Sequence, residues 1–136
     1  MLPQAAERVM RARVLRLDAA IGKFLADLDW PEGVQAPECD ALTVDGAGVL
    51  LRLTEHAGAP AEAPGVFQSV GTSPWDVTAA IAQLAEAWVQ RHHGDPGTYP
   101  TGIKAQVIRR LDMRTAGAWL YSVQLASALA DPGARL

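Results

Sequence analysis

Hydrophobic residues recur at helical spacing near the start of the chain. Six of them follow one another at intervals of three or four positions, which places them on one side of an α-helix. They are Met10, Val14, Leu17, Ile21, Phe24 and Leu28, and we call them the N-terminal seam. Pro3 suits a first helical turn, and Pro31 ends the pattern. The pattern predicts one long amphipathic helix over residues 1–29.

A helix of that length spans about 40 Å, which is long for a chain of this size. We therefore expect the N-terminal seam to be an interface, formed with another protein or with a second copy of the chain in a homodimer. Trp30 directly follows the helix, and an exposed tryptophan at that place would anchor such an interface. The competing interpretation of Trp30 is packing across the helix end.

Apolar and polar positions alternate over residues 39–70, as in β-strands. The stretch DALTVDGAGVLLRLTEH, residues 40–56, predicts a β-hairpin with its turn at Asp45-Gly46. Leu50 interrupts the one-sided pattern of the return strand, so we expect that strand to be covered on both faces. The sequence VFQSV, residues 66–70, is typical of a short third strand.

The segment 73–93 has the pattern of a second amphipathic helix. Ser73 is a natural N-cap and Asp76 stands three positions later, as in a capping box. An apolar face then follows at helical spacing. Its members are Val77, Ile81, Leu84 and Trp88.

Residues 103–126 allow two interpretations, a hairpin or a pair of helices. Trp119, Tyr121, Val123 and Leu125 alternate strictly, which favours a strand over 118–125 and a partner strand over 103–110. The predicted order is then α-β-β-β-α-β-β: one α+β domain, residues 1–136, with an antiparallel sheet of three to five strands. The alternative is a mainly helical domain with one β-hairpin. The predicted order is similar to that of some small acidic secretion-chaperone domains, in order alone.

Charge is distributed unevenly along the 136 residues, whose net charge is −3. Residues 1–23 carry five basic and two acidic side chains, residues 24–90 one and ten, and residues 91–136 six and three. The negative total argues against nucleic-acid binding, which needs a concentrated positive face. The lone Cys39 excludes an intrachain disulfide, and no apolar run approaches a membrane span. We expect a cytoplasmic protein that does not enter a membrane.

The stretch RHHGDPGTYPTG, residues 91–102, holds the candidate chemistry: His92, His93, Asp95 and Tyr99. Adjacent helical side chains project about 100° apart, so the two histidines are badly placed to share an ion. Metal-binding helices use spacings of three or four instead. We therefore predict no metal and no cofactor, and a helix end is the simplest interpretation. The alternative is a small enzyme or ligand-binding domain with its site around these residues.

Two weaker patterns remain. A folded hairpin would bring Cys39 near His56, where an imidazole could activate a thiol. Arg109, Arg110 and Arg114 cluster near the end of the chain, and in the helical interpretation residues 103–128 resemble a helix-turn-helix. Neither pattern carries a recognised catalytic or phosphate-binding motif. The sequence therefore favours a small non-catalytic protein–protein interaction module, whether accessory, chaperone-like, immunity-like or assembly subunit, over an enzyme or, less favoured still, a nucleic-acid binder.

Overall fold

The computed structural model describes residues 4–44, 48–56, 58–60, 62–93 and 102–130. Within them the fold is α+β, as predicted, with four helices and one antiparallel sheet of three strands. The elements in chain order are α1 (Gln4–Ala26), β1 (Glu38–Val44), β2 (Gly48–Thr54), β3 (Val66–Ser69), α2 (Pro74–His93), α3 (Ile103–Arg110) and α4 (Met113–Ala130). The predicted turn at Asp45-Gly46 lies outside the described residues.

The last third of the chain is helical, so the preferred prediction of two further strands was wrong. Helix α3 buries Ile103 and Val107, and α4 begins after Asp112, whose carboxylate accepts the Thr115 amide at 2.7 Å as an N-cap. The order predicted from the alternation, and its likeness to secretion chaperones, therefore fails after α2. The observed order is α-β-β-β-α-α-α.

Helix α1 is shorter than predicted and ends at Ala26 rather than at residue 29. The amide of Asp27 still bonds the Lys23 carbonyl at 3.2 Å, after which the chain leaves the helix. Helix α2 starts as the sequence indicates. Its capping box is reciprocal, because Ser73 Oγ accepts the Asp76 amide at 3.2 Å and Asp76 Oδ2 accepts the Ser73 amide at 2.8 Å.

The sheet is a meander in the order β1-β2-β3, so β2 is central and β1 and β3 are its two edges. Leu51 and Leu53 of β2 are fully buried in the core against the helices. On the opposite face Arg52 is only 1% exposed. The prediction that this strand is covered on both faces is confirmed.

A loop over the outer face of the sheet covers Arg52. The guanidinium donates to the carbonyls of Ala59 and Pro60 at 2.8 and 2.7 Å and to Asp40 Oδ2 at 3.0 Å. Where this loop enters β3, a Cβ on Gly65 would lie 2.6 Å from the Leu53 carbonyl oxygen. The loop can therefore reach β3 only with glycine at that position.

One hydrophobic core draws side chains from all the helices and from the sheet. Helix α1 packs on α4 and β1, whereas α2 packs on α3, α4 and β3. The ring of Phe24 meets that of Trp119 edge-on at 5.8 Å, which joins α1 to α4. No helix among the described residues is long and apolar enough to cross a membrane.

Candidate functional site

The second half of the N-terminal seam belongs to the core of the chain itself. Leu17 and Ile21 are 2% and 1% exposed, Leu28 is buried, and Phe24 is half-buried against α4. The side chains of Met10 and Val14 lie outside the described part. From Leu17 onward, burial in the chain's own core accounts for the apolar pattern that predicted an interface.

Trp30 packs across the end of α1. Its indole N–H donates to the Leu25 carbonyl at 2.7 Å, and its ring is half-buried against the core. The carbonyls of the last helical turn have no partner within the helix, so this bond satisfies one of them. The structure therefore gives Trp30 a capping contact, the competing interpretation of the sequence.

His92 lines a cleft at the end of α2. Its Nδ1 lies 3.0 Å from the Trp88 carbonyl, its Nε2 lies 3.3 Å from Glu55 Oε1, and its ring centre is 4.0 Å from that of Trp88. The cleft, about 290 Å³ in volume, is also bordered by Gln35 and His56. The indole N–H of Trp88 is occupied by the Gln35 carbonyl at 2.8 Å.

A second cleft of about 220 Å³ shares Glu55, His56 and Trp88 with the first and is bounded by Arg91. Arg91 also donates to the Gly65 carbonyl at 3.3 Å. Together the two clefts surround a carboxylate, two imidazoles, an indole and a guanidinium. Such a set can hold a small polar ligand.

Of the other predicted site residues, the structure describes only His93, which does not line these clefts. His93 is half-buried beside His92 on α2, while Asp95 and Tyr99 lie outside the described residues. No group of three histidine, cysteine or carboxylate side chains that could hold a metal occurs among the residues described.

Cys39 does not have the environment of an activated thiol. It is buried in the core, and burial, with the charges of Asp18, Asp40 and Glu38 adding to it, raises the pKa of the thiol well above its usual value. His56 is exposed at the end of β2. Cys39 is therefore a small core side chain protonated at neutral pH, and not the nucleophile of a thiol–imidazole pair.

Within the basic cluster near the end of the chain, Arg110 makes hydrogen bonds within the fold. Arg110 donates to the Asp27 carbonyl and to Asp29 Oδ2, both at 2.8 Å, and so ties α3 to the end of α1. Only two residues separate α3 from α4, fewer than the three or four of a helix-turn-helix. The structure thus gives Arg110 a structural contact.

The edge of the sheet at β1 is covered by α1. The Ala41 amide, which points away from β2, donates to Asp18 Oδ1 at 2.7 Å. Burial raises the pKa of Asp18 to about 6; the bond from Ala41 opposes this rise, and the nearby charge of Asp40 adds to it. The half-buried carboxylate of Asp18 thus serves as the hydrogen-bond acceptor for the outward amide of this edge strand.

The edge at β3 has no such cover in the described structure. The Val70 amide donates to the Val49 carbonyl at 3.4 Å. Because backbone groups alternate in direction along an antiparallel strand, the N–H and C=O groups of Val66 and Gln68 point toward β2, and those of Phe67 and Ser69 point away from it. Neither of those two outward amides donates a hydrogen bond to another described residue. Phe67 is 47% exposed.

Phe67 and Ser69 were not among the predicted site residues, although the sequence holds a signal for them. Residues 63–75 contain no charged side chain. Exposed edge strands usually carry charges or prolines that prevent further pairing, so an uncharged edge strand marks a place where another strand can add.

Comparison with known proteins adds no relative. No protein-family model, no curated protein and no solved structure matches this chain.

Proposed function

We propose that the protein is a small non-catalytic interaction module that docks another polypeptide along the edge of β3. The observation that carries the proposal is the outward-facing backbone of Phe67 and Ser69 in an uncharged, exposed strand. An accessory, chaperone-like, immunity-like or assembly subunit working in the cytoplasm fits such a surface. Leu17, Ile21 and Leu28 of the N-terminal seam are core residues, so the open edge of β3 is the better candidate for the contact.

The physical basis is strand addition. An extended segment that pairs with an open edge gains main-chain hydrogen bonds, while side chains on alternate positions give specificity. At β3 the specificity element on the outer face is the half-exposed ring of Phe67, and Ser69 beside it leaves room for a partner side chain.

A photo-crosslinking amino acid placed at position 67 tests the proposal in the native host. We expect position 67 to give a defined adduct, and the same group at Ile108, a 47%-exposed residue of α3, to give none. The captured protein is then purified and its affinity for the wild type and for Phe67→Lys is compared. A partner bound equally well by both proteins would reject β3 as the contact.

A second candidate function, ligand binding in the clefts around Trp88 and His92, is favoured by the position of His92, whose ring lies 4.0 Å from that of Trp88 and whose Nε2 lies 3.3 Å from Glu55 Oε1. NMR spectra of the imidazole protons during a fragment screen test it. Ligands should shift the His92 and His56 resonances of the wild type, and should leave the His56 resonance unshifted in a Trp88→Phe, His92→Gln variant that remains folded. Hits that bind both proteins equally would place the ligand elsewhere.

A further inference from the structure

We propose that the strand added to β3 is β3 of a second copy, paired antiparallel about a two-fold axis that passes by Gln68. The proposal rests on the proposed function, because it takes the β3 edge as the contact surface. The product is a continuous six-stranded sheet in the order β1-β2-β3-β3-β2-β1.

Charge favours a second copy as the occupant. An isologous contact places each side chain against the same segment of the other chain, so a charged edge strand would repel itself. No charge lies between residues 63 and 75, and self-pairing of β3 therefore brings no like charges together. The edge at β1 differs, because Glu38 and Asp40 lie on that strand and α1 occupies its backbone.

The register follows from which backbone groups are available. Gly65 directly precedes β3, and its carbonyl already accepts a hydrogen bond from Arg91 at 3.3 Å. A register centred on Phe67 would pair Gly65 with the partner's Ser69 and compete with that bond. A register centred on Gln68 uses only Phe67 and Ser69.

In the Gln68-centred register, Phe67 lies opposite the partner's Ser69, and Ser69 lies opposite the partner's Phe67. Each of these two pairs exchanges both of its amide–carbonyl bonds, as hydrogen-bonded antiparallel pairs do. Every outward amide and carbonyl of Phe67 and Ser69 thereby gains a partner. On the outer face, each Phe67 ring covers the small Ser69 of the other chain.

The contact is small, so the dimer is expected to be weak. One short strand pair buries far less than the roughly 1,200 Å² of a stable interface. We expect a dissociation constant on the order of 10⁻⁵ to 10⁻³ M. Sedimentation equilibrium of the full chain from about 10 µM to about 1 mM covers this range.

Paired charge variants test both the contact and its register. Phe67→Lys with Ser69→Lys puts like charges opposite each other and should weaken dimerisation by about tenfold or more, whereas Phe67→Lys with Ser69→Glu puts opposite charges together and should restore much of it. Ile108→Lys, a single charge placed on α3, is the control and should leave the dissociation constant unchanged. Circular dichroism checks that each variant is folded.

Three results would overturn the inference. A wild type that stays monomeric at the highest concentration rejects the second copy as occupant. A dimer equally stable in both double variants uses another surface, and equal loss in both rejects the register centred on Gln68. The crosslinking experiment separates these failures from failure of the proposed function, since an adduct of position 67 with a different protein leaves the β3 contact intact and removes only the self-pairing.

Discussion

At the β1 edge of the sheet the outward amide of Ala41 is bonded to Asp18, whereas at the β3 edge the outward amides of Phe67 and Ser69 meet no described residue. The covered edge requires a helix and the partial burial of a charge. The open edge needs neither, but its backbone groups remain available to another strand. In the described part of the chain, one edge of the sheet is covered by a helix, and the other is left open without the charges that usually guard an edge.

The largest difference in lost stability is expected between two aspartate substitutions, one on the side of each edge. Ile21→Asp puts a charge on the buried face of α1, the helix that covers the β1 edge, and should cost more than about 4 kcal/mol, enough to unfold many domains. Phe67→Asp, on the open edge, should cost about 1 kcal/mol or less. Urea unfolding followed by circular dichroism measures both. Similar losses in the two variants would mean that the edges do not differ as described.

The next effect concerns the loop that leads into β3. Arg52→Ala removes the bonds to Ala59, Pro60 and Asp40 and leaves the Asp40 carboxylate without its buried partner. We expect a loss of about 3 kcal/mol, with faster amide exchange in residues 66–69 because the loop no longer holds that strand. Arg109→Ala, which removes an exposed arginine, is the control. A loss shared by both variants would argue against the role of the loop.

A smaller effect is expected at the covered edge itself. Asp18→Asn keeps an oxygen for the Ala41 amide and removes the half-buried charge, so it should stabilise the protein at pH 7 by about 1 kcal/mol after allowance for solvent screening. Asp27→Asn, on an exposed carboxylate, serves as the matched control.

The sign of the pH dependence follows from the raised pKa of Asp18. The folded state binds the proton more tightly than the unfolded state, whose carboxyl has a pKa near 3.8, so the contribution of this group to stability falls as the pH rises from about 4 to about 6. Unfolding free energies measured across that window should show a smaller decline, or none, in Asp18→Asn. An unchanged slope would contradict the assignment.

The smallest expected effect is measured on the wild-type protein, without any substitution. In dilute protein, where dimers are scarce, the Ala41 amide should exchange with solvent about a hundred times more slowly than the amides of Phe67 and Ser69, because only Ala41 has a hydrogen-bond partner. Amide exchange followed by NMR resolves the three sites. Raising the protein concentration should slow the β3 sites alone, and equal protection at low concentration would show that the two edges are equally covered.

The sequence predicts helices α1 and α2 and all three strands, because each carries a strong pattern or a cap. It misleads over α4, where Trp119 and Tyr121 take part in an apparent strand alternation. In the structure the buried residues of α4 are Ala116, Leu120, Val123, Leu125 and Ala126, whereas Tyr121 is about half exposed. Two of those five positions are alanines, which also occur on exposed faces, so the helical period is hidden.

The open edge is harder to predict than the strand that forms it. VFQSV is recognisable as a strand, but its place at the edge depends on whether residues 103–126 add strands beside it. The burial of the N-terminal seam likewise depends on where the other elements pack. The apolar period of Leu17 and Ile21 is real, yet only the position of α4 and β1 shows that their own chain buries them.

The contact between Gly65 and the Leu53 carbonyl has a consequence for how natural variation in this chain would be interpreted. Even a methyl group at position 65 would push β3 away from β2, so replacements there would be as damaging as replacements of a ligand-binding residue. Intolerance at Gly65 would therefore report on steric space and not on chemistry. Selection for a partner would instead be visible at Phe67 and Ser69, two and four positions later, in the replacements that are tolerated there.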